Sequence, residues 1–483
     1  MQHKTLDPGP QQVATPTAFV LFGATGDLAR RMVLPAFYDL FCRGLTPKEW
    51  VLIGNGRGDV AHEDFRDHVH KSLVEFGPGE DKIDQGQWAE FSKRLRFAGG
   101  GFDEDDPGSL LDVINEAAGG LGEERQFVHY LAIPPSAFGS IASGLAAHDL
   151  LQGSKVVFEK PYGESLESFG ELDQLVHSLM DEDQVFRIDH FLGKEATQNL
   201  HMLRFGNAMI NNNWSADAVA QVQIDAPETL DVAQRAAFYD ATGAFKDMIV
   251  THLFQVAAEV AMEPPASMAA EDLQTARESV LGQFRPLDSS EVVLGQFDGY
   301  TEIDKIADDS TTDTLAAVRL WVDTDRWRGV PFLLRSGKRM AGDHELVSLI
   351  MKEPKGPLGD LPDTAARLEI SLKGKGGIGV ALILKHPGPG LTVSEQRIDL
   401  SLADVDPGEG LDPYVALLHD VLIGDRSLFT SSDGLAHAWR VADSLLKNPP
   451  RPISYQPGSW GPEEATELTG GLGWVTQRNE QAG

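Results

Sequence analysis

The stretch Thr17–Arg31, TAFVLFGATGDLARR, decides how the first half of the chain folds. Its apolar first part is typical of a short buried strand, and a glycine turn and a helix start follow. Gly23 permits the tight turn, Gly26 lets backbone N–H groups approach a pyrophosphate, and the small Ala29 lets helix and strand pack closely. Thr25 stands where the related fingerprint has its second glycine. The pattern predicts a dinucleotide site, and the alternative is an ordinary glycine-containing connection.

Apolar strand patterns recur near Val51–Ile53, Phe127–Ile133 and Lys155–Phe158, with helical patterns between them. This alternation predicts a parallel, doubly wound, Rossmann-like sheet that binds ligands at the carboxyl ends of its strands. Lys160 stands at such an end, before a proline that restricts its backbone. We interpret it as a contact to both cofactor and substrate, with a surface lysine in a turn as the alternative. The expected NADP-binding domain spans residues 17–185.

The loop after the second strand, GNGRG, indicates which nicotinamide cofactor is preferred. NAD enzymes usually have Asp or Glu near this point to bind the ribose hydroxyls, whereas this chain has Asn55 and Arg57. An arginine can pair with a 2′-phosphate that an acid would repel. The loop therefore favours NADP over NAD, and an exposed loop arginine without a ligand is the alternative.

The pattern changes in the second half, where apolar and polar residues alternate with a period of two. Such alternation predicts a mostly antiparallel sheet covered on one side. Helical patterns intervene near Ala244–Ala261 and Asp412–Leu422. We therefore expect an α+β domain over residues 186–483 for substrate binding. The alternating segments are Ala220–Ile224, Val318–Val322 and Leu368–Leu372, and another strand is expected near Val380–Leu384.

The segment Phe186–Asn199, FRIDHFLGKEATQN, lies at the expected domain join and is dense in ionisable groups. Burying so many charges next to aromatic side chains is costly unless the charges have partners. A bound anion and a proton-transfer group would be such partners, and clefts between domains are where substrates meet cofactors. The alternative is a solvated loop before a helix, since structural ion pairs are common.

Two further groups in the second half could serve chemistry. His252 lies in an apolar helical segment, VTHLF, where a satisfied core histidine is the commoner explanation, and the α-helical spacing from Asp247 does not pair the two. Arg335, Lys338 and Arg339 follow an apolar strand and indicate an anion site, with solvated strand-end charges as the alternative. The histidines lack H-E-x-x-H spacing, so we predict no metal site.

Composition excludes several classes of protein. The chain has 483 residues with 41 basic and 73 acidic side chains, a net charge of −32. That field repels nucleic acid and anionic membranes, so neither is an expected partner. Cys42 is the single cysteine, which rules out an intrachain disulfide, and no apolar run is long enough to span a membrane. We expect a disordered tail over residues 1–16 and a cytoplasmic location.

These residues alone indicate an NADP-linked oxidoreductase for an anionic small molecule with a histidine base. Beyond them, the sequence resembles the glucose-6-phosphate dehydrogenase family along almost its whole ordered length, and RIDHFLGKE is close to diagnostic. The Arg57 loop matches as well. The other matching segments are Gly23–Ala29, Tyr130–Pro135, Glu159–Gly163, Arg187–Glu195, Phe238–Leu253, Ala261–Pro265, Arg326–Arg339, Pro387–Gly390 and Gly458–Pro462.

The resemblance implies oxidation of β-D-glucose 6-phosphate to 6-phospho-D-glucono-1,5-lactone, the first step of the oxidative pentose phosphate pathway. It implies NADP+ as acceptor, NAD+ at most as a weaker one, and a homodimer or homotetramer formed through the large sheet. His252 is implied as the general base and Asp189 as the carboxylate that orients it. The other implied substrate contacts are His190 and Lys194 for the phosphate, Glu228, Asp247 and Lys338 for the sugar hydroxyls, and Lys160 for sugar and cofactor. The implied cofactor contacts are Gly23, Ala24, Thr25, Gly26, Asp27, Leu28, Arg57 and Lys160.

The chain also departs from the family pattern. Phe191 replaces the tyrosine that usually follows the histidine, and Asp343 stands where a basic residue commonly lies near the phosphate. Lys246 and Thr251 replace the usual Arg and Asn. Two alternatives to the main hypothesis follow: a paralogue that oxidises another sugar or sugar phosphate, and a weakly active NADP-binding paralogue.

Overall fold

A computed structural model describes residues 13–58, 60–356, 358, 366–405 and 410–482. We expected a disordered tail over residues 1–16, and residues 1–12 of it lie outside the described residues. Val13 is buried among apolar side chains of the first half, so packing begins before Thr17.

In the described residues, the first sheet has six parallel strands and one short antiparallel strand at its edge. The parallel strands are β1 (Thr17–Phe22), β2 (Trp50–Asn55), β3 (Leu95–Ala98), β4 (Gln126–Leu131), β5 (Lys155–Phe158) and β6 (Val185–Ile188). Their order, β3-β2-β1-β4-β5-β6, is that of a dinucleotide-binding doubly wound sheet, and it confirms the predicted Rossmann-like architecture. The helices between them are a π-helical turn Ala29–Val33 and the α-helices Leu34–Cys42, His62–Phe76, Gln85–Ser92, Leu110–Ala118, Phe138–Ala147 and Leu166–Leu179.

In the described part of the chain, the second sheet has nine strands and is mixed but mostly antiparallel, as the period-two alternation predicted. Its parallel pairs are β7 with β10 and β8 with β16. The strands are β7 (Val219–Pro227), β8 (Val292–Phe297), β9 (Leu315–Trp321), β10 (Pro331–Gly337), β11 (Leu346–Met351), β12 (Arg367–Ser371), β13 (Gly377–Lys385), β14 (Val393–Ser401) and β16 (Ile453–Tyr455); β15 (Phe429–Thr430) belongs to the first sheet.

Helices of the second half flank this sheet and connect it to the first. The predicted helix near Ala244–Ala261 is present, but its first half is π-helical. The helices are Glu195–Phe205, Ala208–Asn211, Ala236–Ala244, the π-helix Phe245–Leu253, and then Phe254–Ala261, Ala270–Leu281, Leu402–Val405, Pro413–Ile423, Ser432–Lys447, Glu463–Glu467 and Val475–Ala482.

The first sheet extends past the boundary expected between residues 185 and 186. Strand β6 straddles that boundary and pairs with β5, and β15 pairs antiparallel with β6 from far along the chain. The helix Pro413–Ile423 packs among the buried side chains of the first half, against the helix Leu34–Cys42. Long-range pairing of this kind leaves no local signal in the sequence.

Candidate active site

The carboxyl ends of β5 and β6 bring Lys160 and Asp189 to one edge of the first sheet. Lys160 is the second residue after β5, through a cis peptide bond to Pro161, and Asp189 directly follows β6. Because β5 and β6 are parallel neighbours, residues that follow them lie side by side. The positions of Lys160 and Asp189 just after two neighbouring parallel strands therefore explain why these two residues lie together.

The π-helix Phe245–Leu253 supplies Asp247 and His252 from the second half. In a π-helix the hydrogen bonds run from residue i to i+5, which places residues five apart on about the same side. Both side chains accordingly reach Lys160: its Nζ lies 3.2 Å from Asp247 Oδ1 and 2.6 Å from His252 Nε2. The α-helical geometry assumed from the sequence separated the two residues, and the π-helix corrects it.

His252 and Asp189 form a buried pair. His252 Nδ1 lies 2.7 Å from Asp189 Oδ1, and the two side chains are 1% and 2% exposed. Asp189 Oδ1 also accepts a hydrogen bond of 2.9 Å from the Phe191 backbone N–H, while its buried Oδ2 has no partner among the described residues. The carboxylate holds the ring so that Nδ1 donates and Nε2 points at Lys160.

The electrostatics of this pair prepare the histidine as a base. Burial lowers the pKa of His252 well below its ordinary value, and the Lys160 ammonium lowers it further. Burial raises the pKa of Asp189 to about 6. Near neutral pH the imidazole is therefore neutral with its lone pair on Nε2, facing the Lys160 ammonium, and the carboxylate is ionised.

Asp247 is the counter-ion of Lys160. Burial alone would raise the pKa of Asp247, but the charges of Lys160, His252 and Lys338 hold this pKa below its ordinary value. The carboxylate thus stays ionised beside the lysine.

Glu228 and Lys338 come from a second pair of parallel strand ends. They directly follow β7 and β10, and the Glu228 N–H donates to Gly337 O at 2.9 Å. Lys338 Nζ lies 2.6 Å from both carboxylate oxygens of Glu228 and 5.7 Å from the ring centre of the buried Tyr239. The charge of Lys338 acts on Asp247. The Glu228–Lys338 pair therefore borders the group formed by Lys160, Asp189, Asp247 and His252, which we call the Lys160 array.

The segment after Asp189 lines the other side of His252. The ring centres of His190 and Phe191 lie 4.4 Å and 4.8 Å from that of His252. Lys194 precedes the helix Glu195–Phe205 and places its Nζ 3.8 Å from the centre of the Phe191 ring. Burial lowers the pKa of His190 well below its ordinary value, with His252, Lys160 and Lys194 adding to the effect, so His190 is neutral.

A cation has a poor environment here. Asp189, His190 and His252 each offer a ligand atom, and these atoms lie within 4.8 Å of one another. Both ring nitrogens of His252 are already engaged, however, and the Lys160 ammonium beside Nε2 would repel a metal ion. These charges disfavour a metal ion at this position.

The glycine turn fits a bound dinucleotide. Gly23 has φ +74°, and a Cβ there would lie 2.3 Å from Ala132 O, so only glycine is tolerated. The N–H groups of Gly23 and Ala24 donate to Asn55 O, which ties the turn to the loop that carries the exposed Arg57. Asn55 itself is buried and donates its amide to Ala98 and Gly101, which marks it as structural. The other predicted contacts of this turn are Thr25, Gly26, Asp27 and Leu28, which precede the first helical turn.

Three of the arginines singled out in the sequence do not join the array. Arg187 is buried with Asp173 and Glu182, and Arg335 is buried with Asp225. The guanidinium of Arg339 lies over the ring of Phe297. Of the three residues of the expected anion cluster, Arg335, Lys338 and Arg339, Lys338 alone lies at the site. Sequence patterns do not reveal which arginines form buried ion pairs, so the prediction included too many.

Sequence reasoning also missed two residues of the site. Glu345 contacts Lys194 through its carboxylate, and Tyr239 is buried beside Lys338 with no partner for its hydroxyl in the described part of the chain. Glu345 is distant in sequence from Lys194, and Tyr239 is distant from Lys338, so no residue spacing predicts either contact.

Comparison with known proteins agrees with this geometry. Residues 20–199 match the family model described as glucose-6-phosphate dehydrogenase, NAD binding domain, and residues 201–474 match the C-terminal domain of the same family. The chain belongs to the glucose-6-phosphate dehydrogenase family. It is accordingly an oxidoreductase, which confirms the resemblance inferred from the motifs.

Relatives cover nearly the whole chain. Glucose-6-phosphate 1-dehydrogenase 2 of Mycobacterium tuberculosis is 36% identical, over 95% of this chain and 93% of its own length. The Gluconobacter oxydans glucose-6-phosphate 1-dehydrogenase is 34% identical, over 95% and 96%. A solved glucose-6-phosphate dehydrogenase in complex with its substrate glucose-6-phosphate has a TM-score of 0.88 at 29% identity, over 96% of this chain and 99% of that one.

None of the helices in the described part of the chain has the length and apolar character needed to cross a bilayer.

Proposed function

We propose that this protein oxidises β-D-glucose 6-phosphate to 6-phospho-D-glucono-1,5-lactone. The observation that carries the proposal is the buried Asp189–His252 pair, whose Nε2 faces Lys160 at the carboxyl edge of a dinucleotide-binding sheet. Family membership over most of the chain supports the same reaction, as the first oxidative step of the pentose phosphate pathway.

His252 is the general base in this proposal. Its Nε2 takes the proton of the C1 hydroxyl as the C1–H bond breaks and the C1–O bond becomes a carbonyl. The Asp189 carboxylate, 2.7 Å from Nδ1, stabilises the imidazolium that forms. When bound, NADP+ accepts the hydride with its electron pair.

The other charged side chains position the sugar. In this proposal Asp247, Glu228 and Lys338 bind the sugar hydroxyls, and Lys160, which contacts Asp247 and His252, binds both sugar and cofactor. His190 and Lys194 are the expected phosphate contacts. Lys194 adjoins Phe191, which lies against the His252 ring, so a single bound sugar would have its C1 end at His252 and its phosphate end at Lys194.

Steady-state kinetics on several sugars test the substrate. We expect glucose 6-phosphate to be strongly preferred over free glucose, with NADP+ as the better acceptor. Equal activity on both sugars would contradict the phosphate assignment and favour the alternative of a paralogue for another sugar. Phe191, which offers no hydroxyl to a phosphate, is the residue that keeps this alternative open.

Replacing Arg57 with alanine is expected to weaken NADP+ specifically. Charge-assisted hydrogen bonds to a 2′-phosphate contribute about 1.5–3 kcal/mol, so the KM for NADP+ should rise about 10- to 100-fold. The KM for NAD+, which has no such phosphate, should change little. Arg57→Lys is the matched control and should retain part of the preference. Equal effects of Arg57→Ala on both cofactors would refute the role of Arg57.

We further propose that the protein is a homodimer or homotetramer formed through the large sheet. Strand β14 is the outermost strand of that sheet, and its pairing with β13 places four exposed apolar side chains on one face. These side chains are Leu382, Leu384, Ile398 and Leu400, with exposed fractions of 38%, 46%, 60% and 48%. Such a patch on an edge is typical of an association surface, and a second copy is self-complementary to it.

Ile398→Glu is expected to shift the protein to monomers. A glutamate in the middle of the apolar face would be desolvated without a partner on association. Light scattering after size exclusion measures the change. Met209→Glu, which alters an exposed apolar residue outside this face, should leave the mass unchanged. An Ile398→Glu protein with the parental mass would contradict the proposed interface.

A cytoplasmic location fits this metabolic role and the single cysteine, and we propose it on that basis.

A further inference from the structure

The expected phosphate end of the site contains an acidic residue that already holds the lysine. The Lys194 ammonium contacts the Glu345 carboxylate, and the two side chains are only 12% and 25% exposed. The backbone of Glu345 is fixed, since its carbonyl accepts a hydrogen bond of 2.7 Å from Leu372 N–H at the start of the β11–β12 pairing. The conformation of the Glu345 side chain therefore determines whether the Lys194 ammonium is in an ion pair.

Lys194 is the one full positive charge among the expected phosphate contacts. His190 is neutral, and the ring of Phe191 offers no hydroxyl. The neighbouring Lys373 is engaged by Asp343, with 2.6 Å between Nζ and Oδ2. A phosphate group carries about −1.5 to −2 charges near neutral pH, so it needs the ammonium that Glu345 holds.

We propose that Glu345 sets the selectivity of the site between phosphorylated and free sugars, by competing with the substrate phosphate for the Lys194 ammonium. A phosphorylated sugar binds only when the carboxylate releases the lysine, and the repulsion between two anions then weakens its binding. A free sugar leaves the Lys194–Glu345 pair intact and bears no such cost. This inference rests on the proposed function, because it takes Lys194 as the phosphate end of the sugar site.

Glu345→Gln tests the competition, since glutamine keeps the size of the side chain and removes its charge. We expect the KM for glucose 6-phosphate to fall about fivefold, the order expected for one partly exposed ion pair, and by a larger factor than the KM for free glucose. The matched control is Asp343→Asn, which removes a nearby charge that is paired with Lys373. It should lower the KM for glucose 6-phosphate by less than about twofold.

Calorimetry with inorganic phosphate provides a readout that needs no turnover. Glu345→Gln should tighten phosphate binding by about the same fivefold, and melting temperatures would verify that both variants fold. Unchanged or weaker phosphate binding in Glu345→Gln would overturn the inference, as would an equal gain in Asp343→Asn. A parent enzyme inactive on glucose 6-phosphate would instead contradict the proposed function, and the phosphate comparison would still decide the role of Glu345.

Discussion

His252→Asn is expected to lower kcat by about 10²–10⁴-fold, the contribution of a positioned general base. Asparagine can still donate to Asp189 from a similar position, but it has no basic nitrogen to take the proton of the C1 hydroxyl. The KM values for sugar and cofactor should stay within a few-fold of the parental values, because Nε2 takes the reacting proton and contributes little to binding. Steady-state kinetics with glucose 6-phosphate and NADP+ measure both parameters.

His190→Asn is the matched control for that variant. The two imidazoles are neighbours, with ring centres 4.4 Å apart, and the substitution is the same. Since His190 is an expected phosphate contact, its loss should act mainly on the KM for glucose 6-phosphate. If His252→Asn kept kcat within a few-fold of the parent, or if His190→Asn caused the larger loss of kcat, the base would be assigned to the wrong ring.

The architecture was largely predictable because strands and helices that bury one face carry a periodic pattern of apolar residues in the sequence. The glycine turn at Gly23, the strand Lys155–Phe158 and the alternating strands of the second half were all found from local patterns. The extent of the first sheet was not, because β15 and the helix Pro413–Ile423 pack there from a distant part of the chain.

The site was less accessible from residue patterns. Asp189 and His252 are 63 positions apart, so their pairing came from the family resemblance and not from spacing. The pairing of Asp247 and His252 with Lys160 depends on a π-helix, which the pattern does not distinguish from an α-helix. The contact of Glu345 with Lys194 depends on where a loop between strands ends, and the sequence carries no rule for that.

Asp189→Asn is expected to reduce kcat about 10²–10⁴-fold, because the imidazolium would form in a buried site without its counter-ion, a cost of about 3–5 kcal/mol. The pH profile gives a second signature. In the parent, with the pKa of Asp189 raised to about 6 and that of His252 lowered, kcat/KM should be flat above about pH 7 and fall as protons bind the pair below about pH 6. Removing the negative charge makes the imidazolium less favourable, so the acid limb of Asp189→Asn should move to lower pH.

Asp225→Asn separates this effect from the loss of any buried ion pair. Asp225 Oδ2 lies 2.7 Å from Arg335 Nη2, and neither residue belongs to the Lys160 array. Its replacement should lower the melting temperature while kcat and the position of the acid limb stay at the parental values. An Asp189→Asn enzyme with parental kcat, or with an acid limb at unchanged or higher pH, would show that Asp189 does not stabilise the protonated base. The joint loss of kcat and downward shift of the limb is therefore the result that distinguishes an electrostatic partner of His252 from a carboxylate that only supports the fold.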